Sequence, residues 1–586
     1  MRANLLPAVL LLLVGSACRA SDSEPDLILL NARVYTLNWG EPDLEGRPAT
    51  DAPWGPDGWH PDAEAVVIRG GRIAFVGSSA EARARTGPET VIRDLAGATV
   101  LPGFIDAHTH VAGLGRNLSQ VDLRGVTTED QAVARVVERA GGRPAGEWIP
   151  GWGWDEGAWA NRYPTMDVLS NAFPDNPVVL RSLHGFATWG NRRAFEEAGI
   201  TRDTPDPDGG TIVRGPNGTP SGILLNRAGD LLLDALPRQT PQQRMAEFHV
   251  GLLAMAEAGY VGVHEAGVDA ATVQALEGLE RGNDLPLRVF AMLSARDTGL
   301  LNRWIVRGPD ADPERHLRIR SVKAFQDGAL GSRGARLLAD YSDRPGHRGV
   351  DGDRYGFDHD LLARAMHAGF QVAIHAIGDA GNREALDFLD SMIGAAPDLR
   401  ALRHRIEHAQ VVAPEDAPRF GRLGLIASMQ PPHAVEDMTW AEDRLGADRI
   451  RGAYAWRTLR RQGAHLVFSS DLPGSDHDVF YGLHAAMTRR DRHATPPGGW
   501  HPEEAVSPEE AVRGYTSWAA WAGFVEDRTG VLDRGRWADL TVMDVDPFVV
   551  GSSDHPEALL EGHILLTVVG GRIVYDRTAP ADTPGG

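Results

Sequence analysis

The chain has 586 residues, enough to bury a large core as one big domain with additions or as two to three domains. A formal charge of −21 argues against nucleic acid or an anionic membrane surface as a partner. The single cysteine, Cys18, excludes an internal disulfide, so stability has to come from core size and from any bound metal.

The N-terminus runs from Met1-Arg2 through an apolar stretch at 5–14 to Gly15-Ser16-Ala17 before Cys18. A basic start, a short apolar core and a small-residue end make a secretory signal over residues 1–20, too short to span a bilayer. Residues 26–38 and 65–76 read as β-rich, the second as a hairpin around Gly70-Gly71. The Pro/Gly/Trp-rich loop at 39–62 between them is expected on the surface. At the other end, 530–546 and 564–575 are again β-rich, and both termini carry a V/I-x-x-G-G-R-I hairpin pattern. One small β-domain built from both chain ends, residues 26–98 and 525–580, is therefore expected.

Between these ends, apolar β-branched runs alternate with amphipathic helical segments. Candidate strands lie at 100–105, 259–264, 287–294, 319–325, 371–375, 404–408, 425–429 and 464–469. Near-continuous apolar strands alternating with helices indicate a parallel sheet, and eight such units indicate a (β/α)8 TIM-type barrel over 99–524. The long gap after the first strand requires an inserted subdomain at about 114–253, with a Trp-rich loop at 148–159.

Active sites of such barrels lie at the C-terminal ends of the strands. The first strand ends in His108 and His110, two residues apart and so on one side of a strand. The second ends in His264-Glu265, the fourth in Lys323 and then Asp327, the fifth in His375, the sixth in Glu407-His408. The seventh ends in Gln430 with His433 soon after, and the eighth in Ser470-Asp471. Imidazole and carboxylate are the donors zinc favours, and three or four of them with an open position make a catalytic site. Lys323 is the only lysine in the chain. A buried lysine can become a neutral amine and add carbon dioxide, which a guanidinium cannot do.

These motifs resemble the amidohydrolase superfamily over nearly the whole mature chain. The resemblance rests on L-P-G-F-I-D-A-H-T-H (101–110), K-A-F-Q-D-G-A-L-G-S-R-G-A (323–335), A-I-H-A-I-G-D (373–379), R-I-E-H-A-Q (405–410), S-S-D-L-P (469–473) and A-D-L-T-V-M-D (538–544). G-W-G-W-D-E (151–156), S-M-Q-P-P-H (428–433) and the stretch 444–459 narrow it to the exported amidohydrolase-3 group, the relatives of N-substituted formamide deformylase. The resemblance implies two divalent metal ions, zinc first with manganese or iron as alternatives. His108 and His110 would hold the more buried ion, His375 and His408 the more exposed one, and a carboxylated Lys323 would bridge them. Asp471 would bind the buried ion and handle the proton of an activated water that cleaves a non-peptide carbon–nitrogen bond in a small amide, N-formyl compound or cyclic amide. Ester or lactone hydrolysis, or isomerisation, is the alternative on the same scaffold.

Where the group carries a Gly-His pair inside the insert, this sequence reads R-S-L-H-G-F-A-T-W-G-N (181–191), so either His184 has taken over the substrate contact or the pocket differs. His433, Arg333 and Trp154 complete the candidate substrate contacts. The residues around Cys18 resemble a lipoprotein signal, with Gly15 departing from it, so either lipidation at Cys18 or plain cleavage near Ala20 is open. Both routes imply a bacterial protein exported to the periplasm or anchored there by lipid. A barrel glycosidase would need two facing carboxylates where these strands end mainly in histidines. A non-catalytic ligand-binding lipoprotein would want a closed structural metal site.

Overall fold

The computed structural model describes residues 25–154, 163–182, 187–207, 210–350, 352 and 356–579. At its centre lies an eight-stranded, all-parallel sheet rolled into a nearly closed barrel: β1 (Phe104–Thr109), β2 (Tyr260–Val268), β3 (Arg288–Ser294), β4 (Leu317–Phe325), β5 (Gln371–Ala376), β6 (Arg405–His408), β7 (Ile426–Met429) and β8 (His465–Phe468), each bonded to the next. Closure between the last strand and the first is made beyond the end of β8, where the Asp471 amide donates to the His108 carbonyl and the His110 amide to the Leu472 carbonyl. Branched and aromatic side chains on the outward faces of the strands pack against the surrounding helices in one continuous apolar core.

The run expected as a single first strand at 100–105 is two strands. Thr99–Pro102 pairs antiparallel with Leu540–Met543 in the terminal domain, and the barrel strand begins at Phe104. Gly103 makes the break possible, because a Cβ there would lie 2.2 Å from the Val261 side chain.

The terminal domain is a sandwich. A four-stranded sheet comes from the N-terminal segment alone, and a five-stranded sheet joins Arg33–Val34 and Thr99–Pro102 to three strands from the C-terminal end. Leu29, Val66 and Ile68 of the first sheet meet Leu540, Val542 and Leu566 of the second in a shared core. The two expected hairpins are present, at Gly70-Gly71 and Gly570-Gly571, with positive φ at all four glycines, as a tight hairpin turn of this hand demands. The 39–62 loop lies on the surface, as expected, anchored at a few points. Trp59 is buried against Phe548 and Trp39, whose indole N–H donates to Glu509, so the tryptophans pin the loop to the barrel.

The insert after β1 carries its own six-stranded sheet, in the order 121–122, 149–154, 178–182, 187–190, 220–226, 210–214, with a separate apolar core. The helix Pro241–Glu257, opened by a capping box between Thr240 and Gln243, returns the chain to the barrel and packs on the helix Val111–Ser119. Among the described residues, no helix is long and apolar enough to cross a membrane.

Candidate metal centre

Alternation along β1 puts Asp106 and His108 on one side of the strand, and His110 follows just past its end as the N-cap of the next helix. Asp106 is buried and accepts from the His108 amide and from the hydroxyl and amide of Ser470, tying the ends of β1 and β8 together. That tie brings Asp471, itself at φ 57°, over the imidazoles. Asp471 Oδ1 lies 3.6 Å from His108 Nε2 and 3.3 Å from His110 Nε2, and its Oδ2 lies 3.8 Å from His433 Nε2. Burial pushes the Asp471 carboxyl up, but the surrounding imidazoles outweigh it and hold the acid well below its ordinary value.

Lys323 comes from β4 and is buried, its Nζ 3.1 Å from His108 Nε2. Burial lowers this amine to about 8, within reach of its neutral form at neutral pH. His375 ends β5. Its Nε2 is buried without a hydrogen-bond partner, and burial lowers the imidazole to about 3.

His408 follows Glu407 on β6, so strict alternation would turn it away from the barrel axis. Positive φ at His408 (76°) and Ala409 (41°) instead swings it over the mouth. There its ring lies 4.5 Å from that of His375, centroid to centroid. Its Nδ1 meets the Gln430 amide oxygen at 2.8 Å, so Nδ1 is the donor and Nε2 keeps its lone pair.

Two triads of potential ligand atoms result, His108–His110–Asp471 and His408–His433–Asp471, each within 4.8 Å of one another. The buried imidazoles of His108, His375 and His408, which burial holds in the neutral form, and the ionised Asp471 carboxylate suit divalent cations. At the more exposed His110, burial is outweighed by Asp471, which pulls the imidazole the other way and raises it. A cavity of about 380 Å³ opens above them, walled by Phe325 and Trp440. Past Glu436, Gly474 and Ser475 it meets a larger chamber of about 980 Å³ between the barrel and the insert, bounded by Leu118, Arg124 and Trp152.

Other candidates fall elsewhere. Trp154 does not line either cavity; it is fully buried in the insert core, edge-on to Trp189, with its indole N–H on the Leu180 carbonyl. Arg333 is turned away into an ion pair with Asp343. Glu265 accepts from the Val111 amide and the Thr109 hydroxyl, fastening the start of the following helix. Asp327 takes three backbone amides, those of Arg336, Ile377 and Gly378, and serves the turns around β5, with its Oδ1 3.5 Å from His375 Nε2. His184 and Cys18 lie outside the described residues. Sequence reasoning left Arg405 and Gln430 without roles, though R-I-E-H alternation already puts Arg405 and Glu407 on the inward face of β6.

Five imidazoles, an amine and a carboxylate gathered over the C-terminal mouth of a parallel barrel define a class, the metal-dependent barrel hydrolases. Sequence and structure comparisons narrow this. The chain belongs to the amidohydrolase family, whose sequence model matches residues 91–575. It is 32% identical over 525 residues to a putative amidohydrolase, YtcJ, of Bacillus subtilis, covering 88% of this chain and 96% of that one. It is 27% identical over 570 residues to an N-substituted formamide deformylase of Arthrobacter pascens, covering 94% and 99%. An uncharacterised metal-dependent hydrolase from Pyrococcus furiosus superposes with a TM-score of 0.70 at 29% identity, over 89% of this chain and 99% of that one. The protein is a metal-dependent hydrolase of carbon–nitrogen bonds other than peptide bonds.

Proposed function

We propose that the protein hydrolyses a small amide, N-formyl compound or cyclic amide with two divalent ions, zinc first, at the mouth of the barrel. The observation that carries this is Asp471, an ionised carboxylate set among His108, His110 and His433 beside the only lysine. In this reading His108, His110 and Asp471 hold one ion, and His375 and His408 the other, with His433 able to join them. The bound ions supply polarisation of the scissile carbonyl and a water whose pKa is brought to about 7.

The protein's own groups do the rest. Asp471 takes a proton from the attacking water at a carboxylate oxygen and delivers it to the departing nitrogen, so the amine leaves neutral. Lys323, as a neutral amine, would add carbon dioxide: an N–C bond forms, one N–H proton is released to solvent, and the carbamate would supply anionic oxygen donors to the centre. The chamber beyond Glu436 gives room for the substituent on the nitrogen or the acyl group.

Residues 1–20 direct export, with Cys18 lipidated or the signal cut near Ala20; the mass of the mature N-terminus from fractionated cells decides between them.

Protein produced with bicarbonate and zinc should carry close to two ions per chain, lose activity on chelation and regain it with zinc. Screening that protein on N-formyl, N-acyl, cyclic amide, ester and lactone compounds should give turnover on the first three. Zero metal with activity intact after chelation, or turnover confined to esters and lactones, would overturn the reading. Lys323→Arg should lose one ion and most activity while staying folded.

A further inference from the structure

Beneath the metal-facing side of His108 lies a column of buried polar groups that the hydrolytic reading does not use. His108 Nδ1 is 2.5 Å from Glu407 Oε2. Glu407 in turn receives Arg405 Nε at 2.7 Å on Oε1 and its terminal nitrogen at 3.2 Å on Oε2. Arg405 also donates to the Ala107 carbonyl, the Ser428 hydroxyl and His264 Nδ1. His108, Arg405, Glu407 and Ser428 are wholly buried.

We infer that Glu407, clamped by Arg405, is the positioning residue that fixes the tautomer and strengthens the donor atom of His108. This rests on the metal reading above. A guanidinium can only donate, and the carboxylate it clamps can only accept, so His108 Nδ1 is compelled to be the donor. The Nε2 lone pair then faces Asp471 and Lys323, where an ion would sit. A carboxylate accepting from the far nitrogen of a ligand imidazole also raises that ligand's basicity.

The opposite side of the centre is built differently. His408 is oriented by the neutral amide of Gln430, which Ser469 steadies. The charged support therefore belongs to one of the two sets of ligands. A purely structural role for the Arg405–Glu407 pair explains little, because a buried ion pair is often no more stabilising than well-packed apolar residues. Its place directly under a metal-facing imidazole is accounted for by work on that imidazole.

The test is zinc titration of the stripped full-length chain against a competing chromogenic chelator. Glu407→Gln should weaken the zinc site containing His108 by about 10–100-fold and leave the site containing His408 nearly unchanged. Equal affinities in wild type and variant, or a parallel fall at both sites, would overturn the inference. A wild type that binds no zinc would instead overturn the metal reading itself. A second measurement needs no variant at Glu407. In zinc-loaded wild type carrying 15N-histidine, the His108 signal, assigned with His108→Gln, should be that of the Nδ1–H tautomer; the Nε2–H tautomer would overturn the assignment.

Discussion

The barrel mouth and the insert face each other across the chamber, and both are rich in residues that sequence reasoning marks as functional. In the barrel, marked residues converge: His108, His110, Lys323, His375, His408 and Asp471 come from the ends of four strands and the turn after a fifth, and all line one cavity. In the insert, Trp154 turns inward with Trp189 and fills a core of its own. The difference lies in what constrains each side chain. At a parallel strand end, the backbone dictates direction and the barrel supplies a common focus. In a small irregular sheet, a large aromatic goes wherever the most apolar area can be covered.

Asp471→Asn should break the comparison hardest. The amide keeps the shape and the backbone bond to His108, so the fold should hold, while the proton acceptor and the anionic donor are both lost. A fall in kcat/KM of about 10²–10⁴-fold is expected, with an unchanged circular dichroism spectrum. A fall below tenfold would show that convergence at the mouth does not entail catalysis.

Trp154→Ala should affect stability rather than chemistry. Removing a fully buried indole costs about 3–5 kcal/mol, concentrated in the insert. Limited proteolysis should then cut the insert first, while zinc content stays that of the wild type. Loss of zinc from a chain whose barrel resists protease would mean that the insert holds the centre together.

The barrel was legible because period-2 alternation, apolar strands and donor-bearing strand ends are local signals that add up to one geometry. The boundary at Gly103 was not, since the run from Thr99 to Ile105 is uniformly apolar and only the close approach of Val261 shows where the chain changes sheets. His408 was readable as a donor but not as an inward-pointing one; its orientation depends on two left-handed residues that no pattern announces. Arg405 was passed over because a charged residue inside a strand reads as exposed until its partners, Glu407 and His264, are seen around it.

Arg333 gives the smallest expected effect and the sharpest contrast with its neighbours on the same loop. It follows the segment 329–331, which does line the cavity, and its left-handed backbone (φ 59°) turns it out of the site. Its guanidinium spans to Asp343 through Nε at 3.1 Å and a terminal nitrogen at 2.7 Å, and Asp343 also receives Arg444. With that second arginine in place, Arg333→Ala leaves the loop anchored, and kcat/KM should stay within about twofold of wild type, as for most surface changes. A larger drop on one substrate alone would mean that the arginine leaves Asp343 to reach that substrate, and position on a motif would then outrank position in the fold.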